Sequence, residues 1–338
     1  MEPIRTIHRH LLEQEKKHPE AEGDFTQLMG QIALAAKIIG NSVNKAGLLD
    51  VLGGTGNTNI QGDAVQKLDV LANTIMKDVL LRSGTVAAIV SEEEEEIVFP
   101  AAEDPRGPYI VHFDPLDGST NIDANVSIGT IFGIYRKVSS TSEVTDEDIL
   151  QPGRALIGAG YVVYGASTML VFSSGDGVHG FTYDPAYGEF LLSHRDISIP
   201  NQCKIYSANE SRTSHWPPGA KEFIDHIKSR SEPRYLDITT RWIGSLVADV
   251  HRNILYGGVF LYPETKNDPN GKLRLLYECA PLAYIVEQAG GAASTGKVRI
   301  LDIVPDALHQ RVPFCIGNRD EVALYESYIA EFAKKLQA

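Results

Sequence analysis

One stretch restricts the folding of this chain more than any other: Tyr109-Ile110-Val111-His112-Phe113-Asp114-Pro115-Leu116-Asp117-Gly118-Ser119-Thr120-Asn121-Ile122-Asp123. Residues 109–113 read as an apolar strand that ends in an aspartate. A tight Pro-Leu turn follows, then a second aspartate, then Gly-Ser-Thr, a good helix opening. The pattern holds two carboxylates on one rigid corner, beside backbone N–H groups able to face an anion. Hard divalent cations take carboxylate oxygens, and phosphates take cations and free N–H groups. The corner therefore points to a metal-dependent phosphatase site. Asp-Pro-x-Asp-Gly is also ordinary turn chemistry, so the weight falls on acidic groups at the ends of other apolar segments.

Glu92 and Glu93 follow the apolar run Ala87–Val90 after a single serine, at the strand end where open α/β sheets bind ligands. Glu94 to Glu96 read as a solvated charge run. Glu278 ends a predicted strand, Leu273–Tyr277, ahead of a helix begun by Pro281. Asp69 lies within, and Asp63 before, the helical pattern that leads to the glutamates. Four carboxylates converging without counter-ions would raise one another's pKa. Two divalent cations, roughly 3.5–4 Å apart, would neutralise them and clamp the attacking water and the leaving oxygen. Asp69 or Asp63, if not ligands, would orient or deprotonate that water. Arg274 and Lys272, two apart on an extended strand, share a face and can reach one substrate. Arg241, Tyr262 and Asn209 are further polar candidates.

At 338 residues the chain exceeds the ~250–300 at which one core usually stops growing, so two domains are expected. We place the boundary in Ile197–Asn201, giving halves 1–198 and 199–338. The net charge of −13 disfavours nucleic acid, which needs a basic face. It would also repel an anionic substrate, unless bound cations reverse the sign locally. Cys203, Cys279 and Cys315 show no Cys-x-x-Cys spacing, so a reducing compartment without a zinc site is expected. No stretch reaches the ~18 apolar residues of a membrane span, and the polar N-terminal segment is no signal sequence, so the expected location is cytoplasmic.

Helical spacing of apolar residues runs over Phe25–Val43, over Val65–Val79 and again from about Asp320 to Leu336. Gly53–Asn59 reads as a mobile lid rather than a P-loop, having no following Gly-Lys-Ser/Thr. Lys137–Gln151 reads as an acidic surface loop. Short β-like runs between Ala155 and Leu192, punctuated by Gly and Pro, predict a sheet-rich region.

Gly62-Asp63 through Leu68-Asp69, Ser91-Glu92-Glu93, Asp114–Asp123, Val247–Arg252 and Gly271–Cys279, in this order, resemble class I fructose-1,6-bisphosphatase from about Phe25 to the C-terminus. The Asp-Pro-Leu-Asp-Gly-Ser corner is shared with inositol monophosphatases and other lithium-sensitive Mg²⁺ phosphatases. The resemblance implies an α/β fold of alternating helical and sheet layers (α-β-α-β-α). The N-terminal half would be regulatory and carry the metal site; the C-terminal half would bind the sugar phosphate. It implies hydrolysis of the 1-phosphate of fructose 1,6-bisphosphate by metal-activated water, giving fructose 6-phosphate in gluconeogenesis. It implies two or more Mg²⁺ per site, with Mn²⁺ or Zn²⁺ able to substitute, and a homotetramer.

Carried over residue by residue, Glu92, Glu93, Asp114, Asp117 and Glu278, with the Leu116 carbonyl, are implied metal ligands. Asp69 is implied in water activation, and Asp63 as a loop acid that assists when the lid closes. Gly118, Ser119 and Arg274 are implied around the 1-phosphate. Asn209, Tyr262 and Lys272 are implied in the sugar and 6-phosphate pocket, and Arg241 would reach across into a neighbouring subunit. Arg212 and Trp242 stand where the family usually has tyrosines, which puts sugar preference in question. Sedoheptulose 1,7-bisphosphate is the alternative substrate, and a non-catalytic sugar-phosphate sensor the alternative class. Gly23, Thr26, Tyr109 and Arg136 match the family's AMP site. Ala21, Glu22 and Pro108 depart from it, removing a cation and adding a carboxylate, so weak or absent AMP inhibition is expected. The cysteine insertion of the light-regulated chloroplast form is missing between Lys137 and Gln151.

Overall fold

Apolar residues alternate along the central strands, and each parity finds its own helical layer. The computed structural model describes residues 4–17, 23–48, 52–58 and 64–337. Its helices are α1 (Ile7–Glu15), α2 (Asp24–Val43), α3 (Lys67–Leu81), α4 (Asp146–Ile149), α5 (Pro218–Lys228), α6 (Leu246–Tyr256), α7 (Ala280–Gln288) and α8 (Arg319–Gln337).

A large sheet runs in sequential order through β3 (Val86–Ser91), β4 (Tyr109–Asp117), β5 (Ile128–Arg136), β6 (Gly158–Tyr164), β7 (Thr168–Ser173), β8 (His179–Asp184) and β9 (Glu189–His194). It follows a short antiparallel pair, β1 (Gly54–Thr58) with β2 (Ala64–Gln66). The first large-sheet pair, β3–β4, is parallel, and the rest are antiparallel. A second sheet orders β11 (Thr239–Thr240), β10 (Ile205–Ala208), β12 (Gly258–Tyr262), β16 (Phe314–Gly317) and β14 (Ala292–Ser294). A small pair joins β13 (Leu273–Arg274) to β15 (Arg311–Val312).

On β5, Ile128, Phe132 and Ile134 join one core with Leu28, Ile32 and Ile39 of α2 and Leu68, Ala72 and Met76 of α3. Ile131 and Tyr135, of the other parity, join Val247, Val250, Leu282 and Ile285 of α6 and α7. On β12, Phe260 belongs to that same α6–α7 core, while Val259 and Leu261 pack with Phe223, Ile227 and Tyr325 of α5 and α8. Period-two alternation thus sandwiches α6 and α7 between the two sheets and gives the five alternating layers of the expected α/β fold. No described helix is long and apolar enough to cross a membrane.

Several expectations need correction. Residues 54–58 of the expected lid form a strand paired with 64–66; Asn59 lies outside the described residues. Only Leu273–Arg274 of the predicted strand 273–277 is extended. Leu275–Cys279 closes a π-helical turn that runs straight into α7, so the helix begins before Pro281. The surface loop 137–151 is organised around Asp148, whose buried carboxylate accepts from the N–H groups of Val138, Ser139 and Thr145.

Candidate active site

The Asp-Pro-Leu-Asp segment is a bulge, not a turn. β4 continues to Asp117, with Asp114 opposite Ile131 but Asp117 opposite Gly129. Three steps on β4 therefore match two on β5, so one extra residue is inserted. Regular alternation would send residues three apart to opposite faces of a strand; the bulge turns both carboxylates toward one side. The Leu116 N–H donates to Asp114 Oδ1 at 2.9 Å, and the Thr130 hydroxyl donates to the Pro115 carbonyl at 2.8 Å, holding the bulge closed.

Asp117 is held from the opposite half of the chain. Its carboxylate accepts from Ser245 Oγ at 2.9 Å and from the N–H groups of Val247 at 2.9 Å and Leu246 at 3.3 Å. It thus satisfies free N–H groups at the start of α6, where an anion is favoured. Gly118 makes this approach possible. Its φ is +78°, and a Cβ there would sit 2.7 Å from Ser245 Cβ. After it, Ser119–Ala124 forms a 3₁₀ turn rather than an α-helix.

Glu92 and Glu93 leave the end of β3. The Glu92 N–H donates to the Phe113 carbonyl, which keeps the turn against β4. Glu278 arrives from the π-helical turn and accepts from the Arg274 N–H at 2.5 Å. The Arg274 guanidinium lies 3.0 Å from Glu92 Oε1 and 4.0 Å from Glu278 Oε2. Asp69 sits in the first turn of α3, where its Oδ2 accepts from the Gln66 N–H at 3.0 Å. Its Oδ1 is buried, and the Ser119 side chain approaches the carboxyl.

These groups line one cleft of about 330 Å³. Of the expected residues it gathers Asp69, Glu92, Glu93, Asp114, Leu116, Asp117, Gly118, Ser119, Trp242, Tyr262, Lys272, Arg274 and Glu278. Trp242 stacks on Phe260 with ring centroids 5.5 Å apart and tilts against Tyr262 at 6.1 Å, forming an aromatic wall of the cleft. Two expected residues are not among those lining the cleft. Arg241 is exposed and donates to the Thr240 carbonyl at 3.1 Å. Asn209 lies at the head of the 3₁₀ turn Glu210–His215 and accepts from Ser211 Oγ at 2.6 Å. Arg212 is exposed. Asp63 lies outside the described residues.

Sequence reasoning missed Thr120, Gly244, Leu246, Phe260 and Leu273 as lining residues, and Ser245 as the partner of Asp117. Ser245 had a readable signal, a serine directly before an apolar helical run. It also missed that Glu94, read as solvated, bonds Lys77 and Asn73.

Six carboxylates face two cationic side chains in this cleft. Burial pushes Asp69 up to about 7, with the Glu92 charge adding to it. Burial likewise raises Asp117 to about 6 and Glu278 to about 8, and it lifts Asp114 well above the carboxylate range, helped by the charges of Glu92, Asp117 and Glu278. One carboxylate oxygen each from Asp114, Asp117 and Glu278 lie within 4.8 Å of one another, all three residues buried. Buried, mutually repelling hard oxygen donors, with the Asp69 carboxyl in the same cleft, fit divalent cations and nothing apolar.

The same assembly is found in known proteins. The family model "Fructose-1-6-bisphosphatase, N-terminal domain" matches residues 5–195, and "Fructose-1-6-bisphosphatase, C-terminal domain" matches 199–330. The class 1 fructose-1,6-bisphosphatase of Maridesulfovibrio salexigens is 53% identical over 321 residues, covering 94% of this chain and 95% of its own. That of Chlorobium phaeovibrioides is 51% identical over 329 residues, covering 97% and 98%. The crystal structure of Leishmania major fructose-1,6-bisphosphatase in holo form superimposes with a TM-score of 0.91 at 44% identity, covering 97% of this chain and 99% of that one. Both halves of the chain, the five-layered fold and the aspartate-bearing bulge that joins the halves thus have one explanation: the chain belongs to the fructose-1,6-bisphosphatase family.

Proposed function

We propose that this chain hydrolyses the 1-phosphate of fructose 1,6-bisphosphate to fructose 6-phosphate and phosphate, with Mg²⁺ held by Glu92, Glu93, Asp114, Asp117, Glu278 and the Leu116 carbonyl. The observation that carries the reading is the convergence of Asp114, Asp117 and Glu278 within 4.8 Å at the floor of a cleft that also holds Arg274 and Lys272. Bound divalent cations would neutralise phosphoryl oxygens and lower the pKa of water. Arg274, already desolvated, binds a phosphoryl oxygen in exchange for its bond to Glu92. Gly118 and Ser119 supply backbone N–H groups on the same side. Asp69, held near 7, accepts the proton of the attacking water as the new P–O bond forms, and the bond to the sugar oxygen breaks with that oxygen taking a proton from solvent water. Lys272 and Tyr262 receive the far phosphate, and Trp242 packs against the sugar. Gluconeogenesis in the cytoplasm suits three buried free thiols. We further assign residues 1–198 and 199–338 as the two domains, and a homotetramer as the assembly. In that assembly Arg241, exposed here, reaches a neighbouring site and Asn209 joins the sugar pocket.

Phosphate release from fructose 1,6-bisphosphate should need Mg²⁺ and stop on chelation. Binding of the sugar without release would overturn the reading in favour of a sensor. The aromatic wall makes sedoheptulose 1,7-bisphosphate the comparison substrate, judged by kcat/KM.

AMP should inhibit weakly or not at all. A second cleft, of about 560 Å³, gathers Gly23, Thr26, Tyr109, Arg136 and Pro108, with Glu15 among them. The Thr26 hydroxyl already donates to Glu15 Oε2 at 2.8 Å, so a nucleotide phosphate would have to displace a carboxylate there. Ala21 and Glu22 lie outside the described residues. Rates should be unchanged by micromolar AMP; half-inhibition in that range would refute the expectation.

A further inference from the structure

The two glutamates at the end of β3 stand on a turn closed by the Glu94 N–H on the Ser91 carbonyl at 3.3 Å, and one side chain of α3 spans that turn. Asn73 is buried, one helical turn after Asp69 on the same helix. Its Nδ2 donates to Glu94 Oε1 at 2.7 Å, and its Oδ1 accepts from Ser91 Oγ at 2.8 Å. Ser91 Oγ in turn accepts from the Glu93 N–H at 3.3 Å, and Lys77, a turn further along α3, closes on the same Glu94 oxygen at 2.6 Å. One carboxamide therefore grips the residues on both sides of Glu92 and Glu93, and the helix doing so also carries Asp69. We infer that Asn73 is a positioning residue: it fixes the Glu92–Glu93 turn relative to Asp69 and so sets the affinity of the site for divalent cations. The inference rests on the reading of Glu92 and Glu93 as ligands.

The chemistry requires this residue type. Glu94 needs a donor and Ser91 an acceptor, and a carboxamide offers both at the ends of one short side chain. An aspartate would bring a second carboxylate to within hydrogen-bonding distance of Glu94 and push the turn off the helix. A glutamine is one methylene too long for a buried slot. Partners that orient metal ligands commonly contribute ten- to hundredfold in affinity.

The test is Mn²⁺ binding to the metal-free protein, followed by electron paramagnetic resonance, with thermal unfolding and metal titration of phosphate release in parallel. Asn73→Ala should weaken Mn²⁺ binding about tenfold and raise the metal concentration for half-activity by a similar factor. At saturating metal, kcat and the sugar KM should return to within about threefold of wild type. Asn73→Asp should weaken binding further. Glu94→Ala breaks the same link from a half-exposed position and should repeat the effect, guarding against misfolding of the Asn73 variants. The double variant Asn73→Ala/Glu94→Ala should be little worse than either single one. A lowered melting temperature with unchanged Mn²⁺ affinity in both single variants would make the role merely structural and overturn the inference. Glu93→Gln separates the two levels: if it too leaves Mn²⁺ binding untouched, the ligand reading itself has failed and the inference falls with it.

Discussion

Asp114→Asn should lower kcat/KM by about three orders of magnitude, about 4 kcal/mol of transition-state stabilisation, while the metal-free protein melts at the same or a higher temperature. The two halves of this expectation have one cause. Asp114 is wholly buried, and burial together with the charges of Glu92, Asp117 and Glu278 raises its pKa well above the carboxylate range. In the metal-free protein its ionised form is therefore a liability, and an isosteric neutral amide relieves it. Asn keeps the Oδ1 acceptor for the Leu116 N–H, so the bulge survives. If Asp114 is a cation ligand as proposed, the amide lacks the negative oxygen that a cation takes, so turnover should collapse and the variant should gain less melting temperature from added Mg²⁺ than wild type does. Thermal unfolding with chelator and with excess Mg²⁺, beside steady-state rates, reads all three. Near-normal turnover would remove Asp114 from the site. A clear loss of melting temperature in chelator would show instead that its charge is satisfied without any cation.

Elements whose partners are local or strictly periodic were legible in the sequence. The helical spacing of Leu28, Ile32, Ile39 and Val43 places α2 within one residue of its observed start, and the short apolar run over residues 109–113 marks β4. The cluster itself was legible because acidic groups sat at the ends of apolar runs. What was hidden depends on contacts remote in sequence. The bulge at Pro115–Leu116 exists only in register with β5, so the segment reads alone as a turn. Asp117 finds Ser245 and Val247 some 130 positions later, and no local pattern links them. Residues 54–58, rich in glycine and lacking apolar alternation, become a strand only through pairing with 64–66. The strand predicted over 273–277 gives way after two residues, because Leu275, Leu276 and Tyr277 are buried all round. A wholly apolar run cannot distinguish a buried strand from a buried helical turn. Arg241 and Asn209 were only weak polar candidates until the resemblance gave them roles, and in the isolated chain they are not among the residues lining the cleft.

His112→Leu should make the protein markedly more resistant to acid. His112 lies in the middle of β4, wholly buried, and neither ring nitrogen has a hydrogen-bond partner among the described residues. The ring of Tyr135, 4.9 Å away, has an equally unpartnered hydroxyl. Burial pushes the imidazole down to about 3 from the 6.5 of an exposed histidine. Between those values the unfolded chain binds a proton that the folded chain refuses, so stability falls as pH drops below about 6.5. At about pH 5 the gap of roughly 1.5 units corresponds to about 2 kcal/mol lost through this one side chain. His10 and His251, both lowered to about 4 chiefly by burial, act in the same direction. Asp69, Asp117 and Glu278 act in the opposite one in the metal-free protein, since their raised values make the folded state the better proton binder above about pH 4. All of these remain in both proteins and cancel in the comparison. Leucine fills a similar volume and removes the two unpartnered ring nitrogens without adding a polar atom, so the variant should equal or exceed wild type at neutral pH as well. Denaturant unfolding of the two proteins at about pH 7 and about pH 5 should show their stability difference widening by about 2 kcal/mol on acidification. Parallel pH profiles would mean that water or a neighbour satisfies the ring, and that this buried histidine titrates no differently in the folded and unfolded chain.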